Sequence, residues 1–136
     1  MRYETFMYQS VTRNIRVTVR PQFLENQSLP EQQKFVWAYT ITVENNSDET
    51  VRLLTRHWII TDGLGRSHEV KGDGVVGEQP TLNPGDSFEY SSGCPLSTPS
   101  GMMQGSYGMM NHRTEMFDIA IPPFSLDSPH DRHSVN

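Results

Sequence analysis

Ten consecutive residues, Phe35 to Glu44 (FVWAYTITVE), carry large apolar side chains at every second position. Phe35, Trp37, Tyr39, Ile41 and Val43 fall on one side, and Val36, Ala38, Thr40 and Thr42 on the other. A period of two belongs to a β-strand, whose successive side chains point to opposite faces. The run is rich in aromatic and β-branched residues, which suit a pleated, packed surface. No window of about 11–18 residues holds the 3.6-residue period of an amphipathic helix, so an all-β chain is expected.

Further strands follow the same logic. Asn14 to Arg20 (NIRVTVR) puts Ile15, Val17 and Val19 on one face, and Pro21 ends that strand or confines it to an edge. The polar run Asn45 to Glu49 makes a turn into Val51 to Thr61, which is apolar on both faces and so belongs in the middle of a sheet. Asp62-Gly63-Leu64-Gly65 is a hairpin turn leading to a short strand, Arg66 to Val70. The segment KGDGVVGEQP is expected as a loop and Asn83-Pro84-Gly85-Asp86 as a β-turn. Phe88 to Ser92, Met102 to Met110 and Phe117 to Ile121 complete the strands, with a Pro/Ser/Thr-rich loop from Gly93 to Gly101. About seven short strands with frequent turns predict one antiparallel β-sandwich over residues 1–126. The polar residues 127–136 are expected to form a disordered tail.

Composition removes several classes of function. A single cysteine excludes a disulfide framework and multi-cysteine zinc sites. Strongly apolar stretches are two or three residues long, against the roughly 20 that a membrane helix needs, so no membrane insertion is expected. The opening MRYETFMYQS lacks the apolar core of a secretory signal, which points to the cytoplasm. With 16 acidic and 11 basic side chains the formal charge is -5, so no nucleic-acid partner is expected.

Gly72-Asp73-Gly74-Val75-Val76-Gly77 fits the string G-x-G-x-x-G. In a dinucleotide-binding fold that string opens a helix and is followed by an acid about 20 residues on. Here Pro80 and the turn at Asn83 leave no room for a helix, and residues 95 to 101 hold no acid. A helix-free anion nest built from glycine-loop amides is the surviving form, with Arg66, Lys71, Gly72, Gly74 and Gly77 as its residues. The competing reading is a tight inter-strand turn that needs glycines for its shape.

His57, Asp62, His68 and Glu69 fall within 13 residues around one hairpin, the weak case for a divalent metal. Cys94 has no neighbouring base signature and reads as a structural thiol. No catalytic residue and no cofactor are predicted. Met102, Met103, Met109 and Met110 cluster near Tyr107. Flexible thioethers suit binding surfaces, although on a strand half of them face the core.

The stretches RLLTRHWIITDGLGR, EVKGDGVVGEQPTLNPGDSFEYSSGCPLSTPSG and MMQGSYGMM resemble the ApaG family, and FVWAYTITVENN and FDIAIPPFSL extend the likeness to about residues 10–126. The resemblance implies a fibronectin type III or immunoglobulin-like β-sandwich. It implies a partner-binding module, since related domains occur in F-box proteins and in a polymerase-delta-interacting protein. It also implies a link to cobalt and magnesium resistance, and a genetic neighbourhood with a diadenosine tetraphosphate hydrolase. The family offers no catalytic residues to transfer, and its glycine loop, here Gly72, Gly74 and Gly77, is the usual suggestion for a pyrophosphate site.

Three functions therefore stand in order: a non-enzymatic module for an unidentified protein partner, a binder of a small phosphate or nucleotide ligand at Lys71–Gly77, and a direct divalent-metal binder. Any effect on ion resistance would be indirect, because no span is present to carry ions across a bilayer. Monomer and homodimer are both open.

Overall fold

The structure, a computed structural model, describes residues 7–131. Nine strands form among them: β1 (Tyr8–Thr12), β2 (Ile15–Phe23), β3 (Phe35–Asn45), β4 (Val51–Asp62), β5 (Ser67–Asp73), β6 (Thr81–Leu82), β7 (Ser87–Leu96), β8 (Gly101–Asn111) and β9 (Met116–Leu126). One sheet has the order β1-β2-β3-β7 and the other β5-β4-β8-β9, with β6 beside the start of β4. Every pairing is antiparallel. The two sheets make the expected all-β sandwich.

The alternating side chains fill the space between the sheets. Val17, Val19, Trp37, Ile41 and Val43 from the first sheet meet Leu53, Trp58, Tyr107, Ile119 and Phe124 from the second, all of them buried. Tyr39, Trp58 and Phe124 form an aromatic triangle with centroids 5.4–6.0 Å apart. Met103 and Met109 point into this core while Met102 is exposed, the split that alternation requires. Strand β4 lies between β5 and β8, the central place its two apolar faces predict.

Two strands exceed the expected seven, and the sequence signal for each is weak. β1 (YQSVT) is too polar to show an apolar stripe, and β6 has two residues. β7 runs on through Gly93-Cys94-Pro95 to Leu96, in a segment expected as loop. Tyr90, Cys94 and Leu96 all face inward, so the period of two continues there. Pro95 is tolerated because β7 is an edge strand. Strand β5 likewise runs on to Asp73, which places Lys71 and Gly72 in the strand, not in a loop. Pro21 does not end β2, but it lies beyond the last β1–β2 pair, Tyr8↔Val19, and so at a local edge.

A bulge between Leu53 and Thr55 decides what β4 shows to each side. The extra residue reverses the alternation, so Arg56, Trp58 and Ile60 continue the inner face begun by Val51 and Leu53. Thr55 and His57 turn outward.

The two flanks of the sandwich differ. On one, β1 closes over β9: Ser10 Oγ donates to the Ala120 carbonyl at 2.8 Å, and the Ala120 amide donates to Thr12 Oγ1 at 3.2 Å. On the other, β5 and β7 are each paired on one side only. Of the expected tail, residues 127–131 are described. The Asp127 carbonyl accepts from Trp37 Nε1 at 2.7 Å, Ser128 Oγ donates to the Pro99 carbonyl at 2.6 Å, and the His130 ring packs against Phe23 and Phe35. Residues 132–136, with His133, lie outside the described residues.

Candidate functional site

Each glycine of the G-x-G-x-x-G string has its own steric reason. Gly72 is paired with Arg56, whose guanidinium lies over it, and a Cβ there would come within 2.8 Å of that group. Gly74 adopts φ +66°, and a Cβ on it would meet the Glu78 carbonyl oxygen at 2.4 Å. Gly77 adopts φ +82° with open space around it. Together they shape a miniature hairpin. The Val75 amide donates to the Glu78 carbonyl at 2.8 Å and the Glu78 amide returns to Val75 at 2.9 Å, leaving Val76-Gly77 as a two-residue tip. Both tip residues have positive φ, as a type I′ turn requires.

Strand β4 braces this hairpin along its length. Arg56 Nη1 donates to the carbonyls of Asp73 and Gly74, each at 2.9 Å. The Leu54 carbonyl, freed by the bulge, accepts from the Gly74 amide at 2.8 Å and from Gln79 Nε2 at 2.9 Å. Arg52 Nε donates to the Gln79 carbonyl at 3.0 Å, and the Leu53 amide to Pro80 at 3.0 Å. Val75 is fully buried and anchors the hairpin from below, whereas Val76 is 56% exposed.

Beside the hairpin, the outer face of the second sheet holds a polar trough of about 450 Å³. Register builds it in two cross-strand rows. Asp73, Thr55, Gly108 and Asp118 form one, and Lys71, His57 and Ser106 the next. Gly108, with no side chain, forms the floor between Thr55 and Asp118. His57 Nε2 lies 3.1 Å from Glu69 Oε2, and Lys71 Nζ lies 3.9 Å from the same oxygen.

The anion candidates are only partly gathered. Lys71 and Gly72 lie at one end of β5, and Gly74 follows directly after its last residue, Asp73. Arg66 sits at the opposite end, roughly 25 Å from Gly74 at about 3.3 Å per strand residue. There its Nε donates to Asp62 Oδ2 at 2.7 Å and its Nη2 to Ser97 Oγ at 3.3 Å. Burial works to raise the Asp62 pKa, but hydrogen bonds from the Arg66 amide and side chain and the Leu64 amide hold it below the usual carboxylate range. Of the loop amides, those of Gly74, Val75 and Glu78 already donate to carbonyls within the protein.

The metal candidates are separated by register. His57 pairs with Lys71, while His68 pairs with Ile60. Three residues along a strand is an odd step, so the two imidazoles point to opposite faces. Among the described residues, no group of three or more His, Cys, Asp or Glu side chains is arranged to hold a metal ion. Cys94 is buried on β7, and burial pushes its thiol up to about 11.

Between the sheets, the hydroxyls of Tyr90 and Tyr107 are hydrogen-bonded to each other. Burial raises both phenols; for Tyr90 the bond from Tyr107 and the nearby Arg56 charge act in the opposite direction.

The ApaG domain family model matches residues 25–111, which includes β3 to β8 and the whole glycine hairpin. The chain belongs to the ApaG family. It is 63% identical over 130 residues to Protein ApaG of Mesorhizobium japonicum and 61% identical to that of Rhodospirillum centenum, in each case covering 96% of this chain and all of the relative. A crystal structure of an ApaA protein from Bordetella pertussis superposes with a TM-score of 0.84 at 44% identity, covering 90% of this chain and all of that one.

The G-x-G-x-x-G string marks the glycines, but no local pattern marks Arg56, Leu54, Asp118 and Gly108, which brace the hairpin or shape the trough. The register opposite Gly72 and the bulge at Leu54 are what recruit Arg56, and neither has a local signature. Among the described residues no helix is long and apolar enough to cross a membrane.

Proposed function

We propose that this ApaG-family chain is a non-enzymatic, cytoplasmic module that binds a protein partner. The observation that carries this reading is the open flank. β5 and β7 are the edge strands of their sheets on that flank, each with one side unpaired, while the opposite flank is closed by the hydroxyls of β1. Unpaired strand edges are the usual template for accepting a partner's backbone. The rigid glycine hairpin at the end of β5 adds a fixed landmark beside that edge. Any influence on cobalt or magnesium tolerance then runs through the partner. A tagged chain is expected to retain a specific partner from lysate in more than one tagged form; recovery of nothing above background would count heavily against the reading.

A second reading keeps a phosphate or pyrophosphate at the hairpin, held by Lys71 and by the Val76 and Gly77 amides, which donate to no backbone carbonyl among the described residues. Titration of pyrophosphate against a 15N-labelled chain tests it. Saturable shifts of those two amides would support the site, and unmoved amides would remove it.

A further inference from the structure

Val76 is held in a conformation that valine rarely adopts. Its φ is +44°, in the left-handed region, where a β-branched side chain is a genuine outlier. Five non-glycine residues have positive φ among those described: Arg13, Asn14, Gln33, Val76 and Thr114. Only Val76 and Thr114 are β-branched, and the Thr114 hydroxyl donates to the neighbouring Arg113 carbonyl. Val76 has no polar atom with which to do the same. Asn-Gly is the pair a two-residue type I′ turn prefers, so an asparagine before Gly77 would relieve the strain. The chain carries instead an exposed apolar side chain at the tip of a hairpin bolted to β4 by the bonds of Arg52, Leu53, Leu54, Arg56 and Gln79. Backbone strain persists where the surroundings over-determine it and concentrates at functional positions.

We infer that the Val75–Glu78 hairpin is a docking knob, with Val76 as the side chain that enters an apolar socket on a partner protein. The socket is rimmed by basic side chains. Asp73 and Glu78 flank the knob, both are exposed, and neither has an ion-pair partner among the described residues. A net charge of -5 on the whole chain favours the same sign of partner. This deepens the protein-binding reading above and rests on it. Bracing supplies the affinity argument: a side chain fixed before contact loses little freedom on binding.

The test compares the native chain with Val76→Asn, Val76→Ile and, as an exposed apolar control on β1, Val11→Asn. Thermal unfolding is expected to shift upward by about 3–5 °C in Val76→Asn, because the strain is released. A partner retained from lysate by the native chain is then purified and its Kd measured against all four. The expected pattern is a loss of about tenfold or more for Val76→Asn, near-native affinity for Val76→Ile and Val11→Asn, and weakening with added salt. A partner that binds Val76→Asn as tightly as the native chain overturns the knob while leaving the protein-binding reading intact. No partner for any of the four overturns both. An unchanged or lower unfolding temperature for Val76→Asn overturns the strain argument. Self-association of the native chain that Val76→Asn abolishes, seen by sedimentation, assigns the socket to a second copy and overturns the foreign partner.

Discussion

Cys94 shows how little a residue type says about chemistry until its surroundings are known. The thiol faces the core from β7, and burial alone accounts for its rise to about 11. Alkylation needs the thiolate, so its rate should follow that raised value. At pH 8 the native chain should react with iodoacetamide about a hundredfold more slowly than the unfolded chain, and the native rate should climb only as pH approaches 11. Fast modification of the native chain at pH 8 would mean that the side chain is not where the fold puts it. Arg56 makes the converse point. A charged residue in the middle of β4 reads as a solvated position, yet it faces inward over Gly72 and ties down two carbonyls of the next turn.

At the scale of the element, the glycine hairpin separates two demands that its sequence merges. Gly77 is required for its φ alone, whereas Gly74 is required for its φ and for the carbonyl that a Cβ would strike. Gly77→Ala should cost about 1 kcal/mol and Gly74→Ala at least about 2 kcal/mol in urea unfolding. Equal costs would show that Glu78 yields freely. The strands themselves were legible because their alternation is written in the chain: Phe35 to Val43 face inward by turns as the sequence requires. The polar β1 was not, since its value lies in hydroxyls that bond across to β9 and leave no apolar trace. Nor was the end of β7, where Gly93 and Pro95 suggested a loop although Cys94 and Leu96 kept the period. The candidate site was half legible. Its glycines announce themselves, but the bulge that turns Arg56 inward and the register that lines Asp73, Thr55, Gly108 and Asp118 into one row exist only once strands are paired.

Across the whole molecule, the apolar packing between the two sheets encloses a buried polar pair, the mutually hydrogen-bonded hydroxyls of Tyr90 and Tyr107. Removing either hydroxyl leaves the other buried without its partner, which costs about 1–3 kcal/mol. Tyr90→Phe and Tyr107→Phe should each destabilise by that order, and the double variant by clearly less than their sum, as read from a double-mutant cycle of unfolding free energies. Strict additivity would show that the two hydroxyls act independently. The hydroxyls that seat Ala120 against β1 have a consequence of another kind. A sandwich with both flanks open can be threaded edge to edge without limit, in the manner of a fibre. This one is sealed at Ala120 on one flank, so pairing through strand edges is directed to the flank of β5 and β7.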